Sequence, residues 1–512
     1  MPVGSMTWWR PAAAGLAAAL LGLGAGGIAA AIVARAFSPF VVVGSAVIDL
    51  TPGPMKEAVI RVFGHGDKAF LFIILAVVVA VLAAAAGVLE ARRPWLGRVI
   101  ILAGAAVGVA ASLSRADATV VAAVPSAITG IVGAWALAFL MRRMPAAVPA
   151  RAQTSPSRRT FLWWAGGAAA VGVLATIGGQ LVTRTASAAA NARSVFQLPR
   201  PAASAPAVPA AASLDVPGIT PLITPLPQFY RTDVELVVPQ LDPEQWSLRV
   251  HGMVKHPFTL SWKELNELPM EEHYITLACV SNEVGGPLIS TAKWLGYPVR
   301  LLLERAGVTG DADMVYSESF DGYTAATPLS AMTDPNRASL LAIGMDDEPL
   351  PFARGFPARL VVPGLYGYVS ATKWVVDLRV TRFADYKGYW VTQGWAEKAP
   401  VKQSSRIDVP RPGRTLKAGQ QWVAGVAWQQ HVGISKVEVQ VDNGAWHEAE
   451  LARELSVDTW VQWRWSWDAT PGDHQLRVRA TNAQGEQQTS GVSDVLPDGA
   501  TGWHTVEVSV AS

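Results

Sequence analysis

The segment TLACVSNEVGG, residues 276–286, passes from apolar residues into a polar, glycine-rich run. The apolar part, together with the residues from His273 onward, predicts a strand that ends at Cys279. A loop is predicted to follow, so the thiol would lie where strand becomes loop, and functional groups concentrate at such edges. Cys279 is the only cysteine in the chain. A lone cysteine here could be an inert core residue, a nucleophile or a ligand of a soft metal.

A cysteine protease would need a histidine base beside this thiol. His273 lies on the same predicted strand and would face the same side as Cys279. No further positioning residue supports such a dyad. Metal binding and an inert thiol therefore stay open as alternatives at this point.

Helix and strand signals alternate on both sides of the segment. Strands are predicted at Trp246–His251, His273–Cys279, Arg359–Val362 and Lys373–Thr381. Helices are predicted at Ser261–Leu268, opening after Thr259, and at Val299–Ala306, where Gly307 is a C-cap signal. This mixture indicates an α+β domain, which we place at residues 228–406.

The residues after 406 carry strand signals alone. Strands are predicted at Trp422–Trp428, Ile434–Val441, Trp460–Trp467, His474–Ala480 and Trp503–Val510. Asp442-Asn443-Gly444 is typical of a hairpin turn. Residues 407–512 are therefore predicted to form an immunoglobulin-like β-sandwich.

Residues 1–190 are mostly Ala, Val, Leu and Gly, which predicts an α-helical membrane domain. About five stretches approach the roughly 20 residues that cross a bilayer. These are Pro11–Arg35, Lys68–Glu90, Arg98–Ser114, Ala118–Met141 and Phe161–Val182. Phe37–Leu50 is shorter and better fits a re-entrant or interfacial segment. Residues 191–227, rich in proline and alanine, are expected to form a semi-extended linker.

Arginine placement predicts the orientation of these helices. Arginines cluster between the second and third predicted helices and, more densely, between the fourth and fifth. If both clusters face the cytoplasm, the soluble half lies on the extracytoplasmic side of the cell membrane. Lys56 and Arg61, between the first and second helices, argue mildly the other way. Residues 157–162, SRRTFL, resemble a twin-arginine export motif, which suits an enzyme that is folded before export.

Composition argues against several other functions. The net charge is only +2 and no basic run is dense, so a nucleic-acid partner is not expected. Of eight histidines only His65 lies in the membrane half, in a predicted loop. An internal haem needs axial ligands, usually histidine, and is therefore not expected. One cysteine cannot form an intramolecular disulfide.

Ordered blocks of sequence around Cys279 resemble the sulfite oxidase family, over about residues 220–512. They are YRTD at 230–233, TLACVSN at 276–282, STAKW at 290–294, EPLP at 348–351, GFPARLVVPG at 355–364, KW at 373–374 and DYKG at 385–388. The resemblance implies a molybdopterin-binding α+β domain, a molybdenum cofactor, oxidoreductase activity and a homodimer formed through the C-terminal domain. With its membrane half, the chain is similar to actinobacterial membrane-anchored members.

The resemblance also implies roles for single residues. Cys279 matches the thiolate ligand of molybdenum, Arg231 an active-site arginine and Tyr386 a tyrosine beside the metal-oxo group. The further cofactor-binding candidates are Tyr230, Asp233, Asp321, Arg354, Arg359, Ala371, Thr372 and Lys373, and Arg231 is also counted among them. Basic side chains in this set suit the anionic end of a pterin cofactor.

The substrate pocket departs from the family pattern. Glu283 and Val284 stand where sulfite oxidases carry an arginine pair. An arginine that the C-terminal domain contributes in that family has no evident counterpart near Asp498–Trp503. Sulfite is therefore not expected to be a good substrate.

The expected function is oxygen-atom transfer to or from a small sulfur compound or oxide by a membrane-anchored enzyme. Because no electron-carrier domain is recognised in the sequence, electrons are expected to pass to or from a separate partner. The alternative is a catalytically idle, anchored protein whose sandwich recruits a partner for binding or assembly.

Overall fold

The computed structural model describes residues 8–33, 37–52, 55, 59, 62–63, 66–114, 120–143, 188–232, 234–236 and 238–511. The chain divides into two compact units. One comprises Met1–Ala188 and Val234–Pro239, and the other comprises Ala189–Asp233 and Gln240–Ser512. The predicted helix Phe161–Val182, the twin-arginine segment and Asp233 lie outside the described residues.

The first unit is helical. Its helices are Trp9–Val33, Pro39–Leu50, Asp67–Arg92, Leu96–Leu113 and Val124–Arg142, the last preceded by a 3₁₀ turn at Val120–Ala123. Within the described residues, four segments are long and apolar enough to cross a membrane, namely Trp9–Val33, Asp67–Arg92, Leu96–Leu113 and Val120–Arg142. These match four of the five predicted spans, and the short helix Pro39–Leu50 occupies the segment predicted to be re-entrant or interfacial.

Glycines let two of these helices approach closely. A Cβ atom added at Gly15 would lie 2.0 Å from the carbonyl oxygen of Ala83, and one at Gly87 would lie 1.9 Å from that of Pro11. Backbones can approach this closely only where the contact residues are small. Such small residues are common at the contacts between membrane-spanning helices.

The chain enters the second unit through the helix Ala188–Val195 and then forms one mixed and one antiparallel sheet with further short helices. The strands are β1 Ser247–Gly252, β2 Phe258–Ser261, β3 Glu271–Ala278, β4 Ile289–Pro298, β5 Met314–Ser319, β6 Thr324–Pro328, β7 Leu340–Met345, β8 Glu348–Pro349, β9 Arg359–Val361 and β10 Val375–Thr381. The helices are Trp262–Glu267, Val299–Ala306, Leu329–Thr333 and Gly367–Ser370. One sheet has the order β2-β1-β10-β5-β6 and the other β3-β4-β7-β8, with β9 also paired to β7. The predicted α+β fold is confirmed.

Local sequence accounts for the helix ends. Ser261 caps Trp262–Glu267 through a capping box, in which Glu264 N–H donates to Ser261 Oγ at 3.3 Å and Ser261 N–H donates to the Glu264 carboxylate at 2.8 Å. The cap is therefore Ser261, and the helix begins one residue later and ends one residue earlier than the predicted Ser261–Leu268. Val299–Ala306 has the predicted bounds, and Gly307 ends it with φ +67°.

The segment predicted to be a semi-extended linker, residues 191–227, is a packed part of the second unit. Arg193 donates to the carbonyl oxygens of Leu350 and Pro349, both at 2.9 Å. Ala202 N–H donates to Met270 O at 2.7 Å. The expectation of an unpacked tether is therefore wrong. An extended, proline-rich chain forms few hydrogen bonds within itself, and here its donors bind the carbonyl oxygens of Met270, Pro349 and Leu350.

The C-terminal region, residues 404–511, is rich in β-structure. Its strands are β11 Ser404–Val409, β12 Thr415–Lys417, β13 Gly419–Trp428, β14 Ile434–Val441, β15 Trp446–Glu448, β16 Glu450–Leu451, β17 Val461–Ala469, β18 Gly472–Asn482 and β19 His504–Ala511. They form the sheets β11-β13-β17-β16 and β12-β19-β18-β14-β15, which share one apolar core. The hairpin predicted at 442–444 joins β14 to β15. An immunoglobulin-like topology stays a prediction.

Candidate functional site

Cys279 follows the last residue of β3 directly, as the sequence predicts. Its N–H donates to Leu288 O at 2.9 Å, and its carbonyl accepts from Asn282 N–H at 3.2 Å. The Asn282 side chain accepts from Leu288 N–H at 2.7 Å. These bonds close the loop of residues 280–287, which we call the cysteine loop, and hold the thiol at its base with 9% of the residue exposed.

Three tyrosines lie close enough to Cys279 for its charge to affect their pKa values. Burial raises the pKa of Tyr230, and the Cys279 charge raises it further. Burial also raises the pKa of Tyr323, with smaller contributions from Asp321 and Cys279. The pKa of Tyr366 rises to about 12, again through burial first, with Cys279 contributing. All three phenols therefore keep their protons at neutral pH.

Only Tyr230 of these three was predicted to belong to the site. Tyr323 Oη donates to the carbonyl of Tyr368 at 2.8 Å, whereas Tyr366 Oη accepts from Lys402 N–H at 3.3 Å. Because the Tyr366 hydroxyl is an acceptor in this bond, its proton can be donated elsewhere. Tyr366 lies between Gly364 and Gly367, and this glycine-flanked turn was the only signal in the sequence that could have found it.

Two arginines lie on the Tyr230 side of the thiol. Arg359 is 5% exposed and donates to the carbonyls of Arg354 and Ala371, both at 3.2 Å, while its guanidinium lies 5.1 Å from the centre of the Trp294 ring. Burial lowers its pKa to about 10, which still leaves it charged at pH 7. Arg354 donates to the backbone carbonyls of Phe229 and Tyr230.

Arg359 has no carboxylate partner among the described residues, although buried charges are usually paired or bound to a ligand. An anionic ligand would supply the missing charge. A pterin cofactor with a phosphate fits this requirement, and the soft thiolate of Cys279 fits molybdenum. The donor set therefore fits the cofactor that the sequence implies.

Arg231 and Lys373 lie nearer the surface. Arg231 is exposed and directly follows Tyr230. Lys373 Nζ donates to Thr232 O at 3.3 Å and lies 5.1 Å from the centre of the Trp374 ring. The bond to Thr232 brings Lys373 to the segment that carries Arg231.

The three remaining cofactor candidates are held by local bonds. Asp321 accepts from Tyr323 N–H at 3.0 Å, so it is held by the backbone of the tyrosine whose pKa Cys279 also affects. Ala371 offers its carbonyl to Arg359. Thr372 is buried, and its hydroxyl shares a hydrogen bond of 2.7 Å with Ser317, so the side chain is satisfied within the protein.

Tyr386 packs in a neighbouring cluster. Arg379 Nη1 donates to Tyr386 Oη at 2.6 Å, and the Tyr386 ring lies 5.2 Å from that of Tyr316. Its predicted place beside a metal-oxo group stays a prediction. On the cysteine loop, the Glu283 side chain is exposed and Val284 is half-buried.

Comparison with known proteins identifies the fold around this site. The oxidoreductase molybdopterin-binding domain family matches residues 235–390. Human mitochondrial sulfite oxidase is 31% identical over 301 residues, which cover 50% of this chain and 55% of the human protein. The uncharacterized oxidoreductase YuiH of Bacillus subtilis is 31% identical over 166 residues, which cover 32% of this chain and 80% of YuiH.

A solved structure also aligns with the chain. The sulfane dehydrogenase SoxCD of Paracoccus pantotrophus aligns with a TM-score of 0.49 at 22% identity, covering 58% of this chain and 82% of that one. The chain spans about half the length of the sulfite oxidases that it matches, with 55% of the human protein covered. The chain belongs to the sulfite oxidase family of molybdopterin-binding oxidoreductases.

Proposed function

We propose that this protein is a membrane-anchored molybdenum oxidoreductase that transfers an oxygen atom to or from a small sulfur compound or oxide. The observation that carries the proposal is the arrangement of Cys279 and Arg359 about Tyr230: a buried thiol and a buried cation without a carboxylate partner among the described residues. A metal ligand and an anion-binding group are the two features that a molybdopterin site requires.

Each group would have a distinct task. The bound cofactor would supply the two-electron redox chemistry. Cys279 would hold the metal, while Arg354, Arg359 and Lys373 would bind the anionic end of the pterin. The protonated phenols of Tyr230 and Tyr366 would donate hydrogen bonds to a substrate oxygen near the metal. Tyr386 and Arg231 stay as further catalytic candidates on the strength of the resemblance.

The substrate would be neutral or weakly charged rather than a dianion. The cysteine loop offers Glu283 and Val284, neither of which can donate a charged hydrogen bond. Phenol donors suit an uncharged oxygen acceptor such as a sulfoxide. Electrons would be exchanged with a separate carrier.

The helices of the first unit would anchor the enzyme in the cell membrane, with the soluble half on the extracytoplasmic face. The twin-arginine segment and the arginine-rich loops of the sequence support this orientation. Replacing Arg158 and Arg159 by lysine should then retain the soluble half in the cytoplasm. Protease added to intact spheroplasts should digest the soluble half of the wild type only, and equal digestion of both proteins would remove the export proposal.

The C-terminal region is proposed to form the homodimer contact, which the family resemblance supports. Cross-linking of the purified full-length protein in detergent would test it. A monomer at all concentrations would contradict it.

The enzyme proposal is tested on full-length protein that is made in a host able to synthesise the cofactor and purified in detergent. Molybdenum content is measured together with dye-linked turnover of sulfoxides, N-oxides and sulfite. We expect stoichiometric molybdenum and turnover of at least one neutral oxide or its reduced form. A protein without molybdenum and without turnover would favour the alternative, an idle anchored binding or assembly protein.

A further inference from the structure

The strand that leads to Cys279 is bound along its edge by the C-terminal region. Thr276 N–H donates to Asp458 O at 2.9 Å, and Thr276 O accepts from Gln430 Nε2 at 3.2 Å. Trp460 N–H donates to Thr276 Oγ1 at 2.9 Å. Thr276 is 1% exposed, so these bonds form out of contact with water. These bonds hold β3 in place at Thr276, close in sequence to Cys279.

A second attachment reaches the cysteine loop itself. Arg406 Nη1, from β11, donates to Gly286 O at 2.8 Å. The same guanidinium pairs with Asp408 at 2.7 Å and donates to Thr220 Oγ1 at 2.8 Å. Because Asp408 and Thr220 also bind the Arg406 guanidinium, the Gly286 carbonyl is bound to a fixed donor rather than to a mobile side chain.

His504, the first residue of β19, faces the neighbouring glycine of this loop. Gly285 has φ +78°, and a Cβ atom added there would lie 2.2 Å from His504 Cδ2 and 2.3 Å from Nε2. Ile407 N–H donates to His504 Nδ1 at 3.0 Å, so Nδ1 is the unprotonated nitrogen. Burial, with the nearby Arg406 charge, lowers the pKa of His504 to about 4 and keeps the ring neutral.

We infer that His504 and Arg406 are positioning residues through which the C-terminal region sets the conformation of the cysteine loop. Cys279 lies between two segments, Thr276 and Gly285–Gly286, that are both attached to this region. A shift of β19 would therefore displace the cysteine loop relative to the Cys279 thiol. The consequence for catalysis rests on the proposed function, whereas the consequence for the loop does not.

The test uses the full-length protein and the variant His504→Asn. Asparagine keeps an acceptor for Ile407 N–H but lacks the part of the ring that touches Gly285. We expect faster hydrogen exchange in the peptide covering residues 280–287, an altered Mo(V) electron paramagnetic resonance spectrum and a change of up to about 100-fold in kcat/KM. Thermal stability and molybdenum content should stay close to wild type. His447→Asn, an exposed histidine on β15, is the matched control and should change none of these.

A double-mutant cycle provides the second measurement. Gly285→Ala places a methyl group against the imidazole, and His504→Ala removes the imidazole. If the two residues are coupled, the effect of Gly285→Ala on exchange and on the spectrum should be smaller in the His504→Ala background than in the wild type. Additive effects, or wild-type exchange and spectrum in His504→Asn, would overturn the inference. If the wild type holds no molybdenum but His504→Asn still shows the predicted change in hydrogen exchange, only the proposed function is overturned.

Discussion

The two sides of Cys279 differ in charge. On the Tyr230 side lie Arg354 and the buried Arg359, both bound to backbone carbonyls. The second group of residues, which we call the loop side, comprises the cysteine loop, with an exposed Glu283, and the neutral phenol of Tyr366. A buried cation costs several kcal/mol unless a counter-charge offsets it, and an exposed carboxylate costs little. The proposed anionic end of the cofactor would offset this cost on the first side, whereas the described side chains of the loop side include no buried charge that needs offsetting.

This contrast separates cofactor binding from substrate choice. The cationic side carries Arg359, which matches a cofactor-binding arginine of the sulfite oxidase family, and Arg354, which stands where that family has histidine. The loop side has lost the arginine pair that the same resemblance assigns to sulfite binding. We therefore expect changes on the first side to affect metal content, and changes on the second to affect which substrate is used.

The largest effect is expected at the thiol that both sides share. Cys279→Ser removes the soft ligand that molybdenum needs, and a hydroxyl is a poor replacement. The variant should fold, since the backbone bonds of Cys279 to Leu288 and Asn282 do not involve sulfur. Its dye-linked turnover should fall to background, with the molybdenum either absent or retained in an inactive form. Wild-type turnover in the purified variant would disprove the ligand assignment.

Sulfite should be a poor substrate for the wild type. A hydrogen bond to a charged group contributes about 1.5–3 kcal/mol, so the lack of two such donors weakens sulfite binding by about 10²–10⁴-fold. The double variant Glu283→Arg, Val284→Arg should lower the KM for sulfite and leave that for a neutral sulfoxide little changed. Steady-state assays with ferricyanide as acceptor measure both constants. A micromolar KM for sulfite with rapid turnover in the wild type would show that the loop side is misread.

Arg359→Met should weaken retention of the cofactor. The lost charge-assisted bonds are worth about 1.5–3 kcal/mol, or roughly 10- to 100-fold in affinity. Molybdenum per chain after dialysis is the measurement. Arg382→Met is the matched control, because Arg382 forms surface ion pairs with Asp311 and Asp385. Equal molybdenum retention in the two variants would remove Arg359 from the cofactor site.

The smallest effect is a pH dependence of stability that arises from His504. Its pKa is about 4 in the folded protein against an ordinary 6.5, so between these values only the unfolded chain binds the proton. Stability should therefore fall as the pH drops from 6.5 to 4, by on the order of 1–3 kcal/mol from this group. His504→Asn should show a smaller loss of Tm between pH 7 and pH 4.5 than His447→Asn. Identical losses in the two variants would contradict the burial of a neutral imidazole.

Periodicity and capping signals predicted the elements whose stability is local. Four of the five predicted apolar helices, the helix Val299–Ala306 with Gly307 after it, and the hairpin at 442–444 are confirmed. The strand β4, Ile289–Pro298, was not predicted, because its apolar and polar residues do not alternate and it is buried between β3 and β7. Its pairing is set by partners distant in sequence, which a local pattern does not reveal.

The candidate site was predictable only where a sequence block carried it. Cys279 and Arg359 stand in such blocks and Arg354 directly precedes one, and the structure brings all three together around Tyr230. Tyr323 and Tyr366 were missed because an isolated tyrosine gives no sign of its distance from a thiol elsewhere in the chain. The contact of His504 with Gly285 was missed for the same reason, since β19 and the cysteine loop lie far apart in sequence.

X-ray absorption at the molybdenum edge, measured on the full-length wild type and on Cys279→Ser, tests the central claim most directly. It reports the metal and counts the sulfur atoms bound to it. We predict about one molybdenum per chain in the wild type, coordinated by one more sulfur than any molybdenum that Cys279→Ser retains. A wild type without molybdenum, or a variant with the same sulfur coordination as the wild type, would contradict the account.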